Sequence, residues 1–87
     1  MRYQLQWEEE ALSDLMSLPK KISILVTKKI ESYLVQNPRQ LGKPLTGELS
    51  GLYSYRVGDY RVMYSIVEKE VRISVIRIGH RKDVYEI

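Results

Sequence analysis

Eighty-seven residues make one small domain, with no room for a second. No run of 18 apolar residues occurs, and there are no cysteines and one histidine, so no membrane span, disulfide framework or metal centre is expected. The net charge of +3 permits an RNA, DNA or acidic protein partner without demanding one.

Tyr3, Leu5 and Trp7 alternate with polar residues, which predicts a half-buried N-terminal strand. Glu8-Glu9-Glu10 follows closely on Met1, which argues against a secretory leader. The same glutamates suit the first turn of a helix. Ala11, Leu12, Leu15, Met16 and Leu18 supply its apolar stripe. Pro19 disfavours helical geometry at Leu18 and suits the start of a second helix. Ile22, Leu25, Val26, Ile30, Tyr33 and Leu34 carry that helix to Gln36, where Asn37-Pro38 ends it. Two helices joined at one proline predict a helical hairpin. Lys20, Lys21, Lys28 and Lys29 lie off the stripe and read as a solvated face in preference to an RNA contact.

Residues 39–51 hold Gly42, Pro44, Gly47 and Gly51, which predicts a loop. Leu41, Leu45 and Leu49 are expected to tuck under the domain and close the core. Three strands follow, over 52–57, 60–67 and 71–78. Gly58-Asp59 makes the first turn and Glu68-Lys69-Glu70 the second. These short connections predict an antiparallel meander. The fold class is therefore α+β, with a two-helix layer on one sheet face and the other face at least partly open.

Strand side chains alternate between faces. Tyr53, Tyr55 and Val57 form one core set, and Tyr60, Val62, Tyr64 and Ile66 another. Ser54 and Arg56, with Arg61, Met63 and Ser65, are left for the open face, because an unpaired arginine is too costly to bury. In the last strand Val71, Ile73, Val75 and Arg77 alternate with Arg72, Ser74, Ile76 and Ile78, apolar on both faces as a covered strand would be. Gly79-His80-Arg81-Lys82-Asp83-Val84-Tyr85 then brings His80, Arg81 and Tyr85 to the rim. Arginines converging on one surface suit a phosphodiester, because the guanidinium stays charged and binds phosphate oxygens as a fork. The alternative is pairing of these arginines with Asp59, Glu68, Glu70, Asp83 and Glu86.

The stretch Tyr55-Arg56-Val57-Gly58-Asp59-Tyr60-Arg61-Val62-Met63-Tyr64, with Ile76-Arg77-Ile78-Gly79-His80-Arg81-Lys82-Asp83-Val84-Tyr85, resembles the RelE branch of the RelE/ParE toxin superfamily. Pro44-Leu45-Thr46-Gly47 and Leu49-x-Gly51-Leu52-Tyr53 are similar to that family's entry into the sheet. The resemblance covers essentially all of residues 1–87 as a single toxin domain. It implies a small microbial-ribonuclease-like fold and the toxin half of a type II toxin–antitoxin pair, acting in the cytoplasm. It implies mRNA cleavage in the ribosomal A site, with no cofactor and no metal. The implied partners are a RelB-like antitoxin, the ribosome and mRNA, with operator DNA reached only through the antitoxin.

Carried over by position, Arg61 and Arg81 match arginines that stabilise the scissile phosphate, and Tyr85 a C-terminal tyrosine for proton transfer or orientation. His80 stands where a basic residue precedes the arginine and is a further acid/base candidate. Arg56 and Ser54 fall where some members carry lysines, and serine does not supply that charge. Lys82 and Arg77 complete the expected RNA- and phosphate-binding set. Two other readings remain: a ParE-like poison of DNA gyrase, and a non-catalytic RNA- or protein-binding module of the same fold.

Overall fold

The computed structural model describes residues 2–80. The elements in order are β1 (Gln4–Trp7), α1 (Glu9–Ser17), α2 (Lys20–Lys29), α3 (Pro38–Leu41), β2 (Lys43–Pro44), β3 (Tyr53–Val57), β4 (Tyr60–Val67) and β5 (Arg72–His80). They build one five-stranded sheet in the order β1-β5-β4-β3-β2. β1 pairs with β5 in parallel, and the remaining pairs are antiparallel. The meander is as expected, with Gly58 at φ +60° in the β3–β4 turn, where glycine escapes the Cβ penalty. β5 is an interior strand, flanked by β1 and β4.

The core lies between the helices and one sheet face. Ala11, Val26, Ile30, Leu34 and Val35 come from the helical part, and Val57, Val62, Tyr64, Ile73, Val75 and Ile78 from the strands. Tyr3, Leu5 and Trp7 pack against this cluster, as the alternation in β1 requires. The helical stripes are narrower than expected. On α1 the inward residues are Ala11, Leu15 and Leu18, while Leu12 and Met16 face solvent. Beyond Pro19, Val26, Ile30 and Leu34 recur every four residues and are fully buried, while Leu25 and Tyr33 are exposed. The second helix continues to Leu34 only by widening into a π turn over Ile30–Leu34. Pro19 is its N-cap, not its first helical residue.

The 39–51 loop contains more structure than its glycines and prolines suggest. Lys43 and Pro44 pair with Ser54 and Tyr53 and add an edge strand to the sheet. Proline is tolerated there because an edge strand has no ladder partner on its outer side. Leu41 is exposed, and Leu45 and Leu49 are half-buried, so none of the three closes the core as expected. Tyr64 does that work. Its ring is fully buried and stacks on Tyr53 at 5.6 Å, and its hydroxyl donates to the Pro38 carbonyl at 2.5 Å. Gly42 makes the room, since a Cβ there would lie 1.7 Å from the Tyr64 Oη.

One departure in β5 bears directly on the site. Tyr64 pairs with Val75 but Met63 pairs with Arg77, so Ile76 is an extra, bulged residue. The bulge reverses the alternation for the rest of the strand. Ile78 therefore joins the core opposite Val62, and Arg77 joins the outer face opposite Met63, the reverse of the assignment made from unbroken alternation.

Candidate active site

The outer sheet face is assembled by register. Ser54 lies opposite Met63 and Arg56 opposite Arg61 across β3–β4, while Met63 lies opposite Arg77 and Arg61 opposite Gly79 across β4–β5. Arg61 is thus flanked by an arginine on one side and by a residue with no side chain on the other. Directly opposed residues of an antiparallel pair hold their Cβ atoms about 4.5–5.5 Å apart, and like charges placed so are unfavourable. The Arg56–Arg61 pairing therefore concentrates positive charge at this point of the face. Arg56 turns its Nε back to donate to the Gly58 carbonyl at 2.9 Å and stays exposed. Arg61 is half-buried.

The face is less open than expected. Ser54 is only 4% exposed and Met63 2%. A nearby concavity of about 470 Å³ is lined by Glu8, Glu9, Glu10, Met63, Ile76 and Arg77. Arg77 belongs to an ion-pair cluster with α1. Its guanidinium contacts Asp14 at 2.8 and 3.2 Å and Glu10 at 3.2 Å. The hydrogen bond to Asp14 raises the Arg77 pKa above its ordinary value, and the charges of Asp14 and Glu10 add to that against the opposing effect of burial.

His80 ends β5 opposite Tyr60, with the two rings edge-to-face at 5.8 Å. Tyr60 alternates in phase with Val62 and Tyr64, so this pairing places His80 on the helix-side face, across the sheet from Arg61. Register thus brings Arg56, Arg61, Ser54 and Arg77 together, and it separates His80 from them. Arg81, Lys82 and Tyr85 lie outside the described residues.

Asp14 is the residue that sequence reading missed. Its carboxylate also accepts the Ile78 N–H at 2.9 Å. The signal was present. Asp14 stands three residues after Ala11 and four before Leu18, on the buried stripe of α1, where an acidic residue needs a partner.

Among the described residues no three acidic or histidine side chains are grouped as a metal site would need, and no helix is long and apolar enough to cross a membrane.

Comparison with known proteins bears on the same elements. The family described as the ParE toxin of the type II toxin–antitoxin system parDE matches residues 5–85. Toxin RelE of Mycobacterium tuberculosis is 42% identical over 77 residues, covering 88% of this chain and 79% of the relative. Toxin RelG of the same organism is 35% identical over 85 residues, covering 98% of each. Among solved structures, the toxin–antitoxin complex RelBE2 of M. tuberculosis contains a chain that superposes with a TM-score of 0.89 at 33% identity, covering 93% of this chain and all of that one. The archaeal RelE–RelB complex of Pyrococcus horikoshii does so at 0.67 and 27%, covering 97% and all. The five-stranded sheet with its helical layer is accordingly the RelE toxin fold. The chain belongs to the RelE/ParE family, the toxins of type II toxin–antitoxin systems.

Proposed function

We propose that this toxin is a ribosome-dependent mRNA endonuclease, held inactive in the cytoplasm by a RelB-like antitoxin. The observation that carries the reading is the Arg56–Arg61 pair, set directly opposite one another across β3 and β4. Two guanidinium groups on one face offer forked N–H donors and permanent positive charge, the chemistry that a phosphodiester accepts. The relatives named as RelE toxins, and their solved complexes with RelB, support the toxin role and the partner.

The chemistry follows from the side chains available. The substrate's own 2′-hydroxyl attacks the adjacent phosphorus while the P–O5′ bond breaks. The products are a 2′,3′-cyclic phosphate, or its 3′-phosphate hydrolysis product, and a 5′-hydroxyl. A base takes the 2′ proton, an acid returns one to O5′, and positive charge stabilises the phosphorane-like transition state. Arg61 and Arg81 are the electrostatic pair, with Arg56 and Lys82 as further phosphate contacts. Tyr85 is the first acid/base candidate. His80, on the far face beside Tyr60, serves this role less directly. Arg77 is engaged by Asp14 and Glu10, so its part is to shape the face, not to bind phosphate. Ser54 is buried opposite Met63 and brings no charge to the face.

The family match to ParE favours one competing reading, a gyrase poison acting by protein contact alone. Induction in growing bacteria with mapping of mRNA 5′ ends separates the two. Messages cut within codons, with toxicity lost in Arg81→Ala and Tyr85→Ala, are the expected outcome. Intact messages, with both variants still toxic, would favour gyrase.

A further inference from the structure

We propose that Asp14 is a positioning residue, a clamp on the bulged end of β5 that fixes the last residues of that strand against Arg61. The inference rests on the endonuclease reading for its kinetic consequence, though not for its structural one.

Three observations converge on this carboxylate. First, β1 stops pairing with β5 at the Trp7–Val75 position, and the Glu8 N–H closes the ladder on the Val75 carbonyl at 2.9 Å. Beyond that point, among the described residues, no strand flanks β5 on this side. Second, the bulge at Ile76 falls immediately past the end of that pairing. Third, Asp14 grips the two residues that follow the bulge. One oxygen accepts both the Ile78 N–H at 2.9 Å and the Arg77 Nε at 2.8 Å, and the other accepts an Arg77 terminal nitrogen at 3.2 Å. A side chain from α1 thus replaces the missing strand.

The position matters because the register of β5 beyond Val75 depends on the bulge. In the observed one, Arg77 lies on the outer face, Ile78 in the core, and Gly79 opposite Arg61. Removing the bulge moves every later residue by one place. Arg77 would then face Val62 in the core, and Ile78 would stand across from Arg61. Asp14 opposes that slip twice over. It binds the Arg77 head only when that side chain is on the outer face, and it binds the Ile78 amide only when that amide points to the open edge. Glu10 adds a second carboxylate to the same guanidinium. The strand end held this way leads directly into the segment that carries Arg81 and Tyr85.

The test compares Asp14→Ala and Asp14→Asn with the wild-type toxin, each purified from its antitoxin complex. Gly42→Ala serves as a variant destabilised at the opposite end of the sheet. Two readouts are taken: cleavage of mRNA on programmed ribosomes, and amide exchange by NMR. Asp14→Ala is expected to lower kcat by about 10²-fold, the scale of a small misplacement at a reacting centre, with KM little changed. The Ile78 amide should lose protection while the Val62 and Tyr64 amides keep theirs. Asp14→Asn retains an oxygen for the Ile78 N–H, so it should recover protection there and part of the lost rate. Gly42→Ala should lose stability and keep kcat. A folded Asp14→Ala with wild-type kcat and a protected Ile78 amide would overturn the proposal, as would an equal fall in kcat for Gly42→Ala. If the wild type does not cleave, the endonuclease reading fails by itself. The Ile78 exchange rate then decides the clamp alone: faster exchange in Asp14→Ala supports it and unchanged exchange refutes it.

Discussion

Tyr64 and Arg61 stand three residues apart on β4 and serve opposite ends of the structure. Tyr64 is on the core face, where its hydroxyl reaches the Pro38 carbonyl and Gly42 leaves it room. Tyr64→Phe removes the donor and leaves a buried carbonyl without it, at a cost of about 1–3 kcal/mol. Chemical denaturation should show a lower midpoint with an unchanged slope. Arg61 is on the outer face, opposite Arg56 and Gly79. Its place on that face was legible from sequence because a charge inside an alternating apolar strand points away from the core. For Asp14 the sequence signals the need for a partner but not which partner. Its partners lie 63 and 64 positions away, and the contact exists only once α1 docks beside β5.

At the scale of elements, local signals were reliable and non-local ones were hidden. The β3–β4 hairpin followed from Gly58-Asp59 between two alternating runs, and β4 was read with its observed limits, Tyr60–Val67. Gly58 at φ +60° gives a check on that turn. Gly58→Ala should destabilise by about 1–2 kcal/mol, measurable as a lowered melting temperature, because a Cβ in the left-handed region meets the following carbonyl. The bulge in β5 left no such mark. Ile76 and Ile78 suit either face, so the apolar pattern around the slip carried no phase, and Arg77 between them, grouped with Ile73 and Val75 only by unbroken alternation, was the one misfit. β2 was hidden for a different reason. Two residues, one of them proline, form a strand only because β3 is there to pair with them. Val71 shows tertiary demand overriding local preference in the same way. This β-branched residue sits at φ 48° to close the turn into β5.

At the scale of the molecule, the core face carries Tyr64 and Tyr55 and the outer face the arginines of the proposed site, and the two respond differently to pH. Burial raises the Tyr64 pKa far above its ordinary value of 10.0, and it raises that of Tyr55 as well. The folded state thus holds these phenols neutral, and their contribution to stability is complete below about pH 10. Above it the unfolded chain gains free energy by ionising, and stability falls until the folded-state pKa is passed. Thermal melts from pH 8 to 11 should show a decline beginning near 10, shallower in Tyr64→Phe than in the wild type. The outer face carries arginines that stay charged throughout this range. Loss of activity at high pH without loss of fold would therefore trace to the acid/base groups, not to the phosphate-binding ones.

The central claim is that the paired arginines of the outer face act on an RNA phosphodiester. Its most direct measurement is cleavage of a defined mRNA by purified toxin with and without programmed ribosomes, with the termini of the fragments identified. Cuts inside the A-site codon only when ribosomes are present, 2′,3′-cyclic phosphate and 5′-hydroxyl ends, and a rate about 10²–10³ lower in Arg61→Ala are the predicted result. An intact message under both conditions, with a folded toxin that still arrests growth, would contradict it.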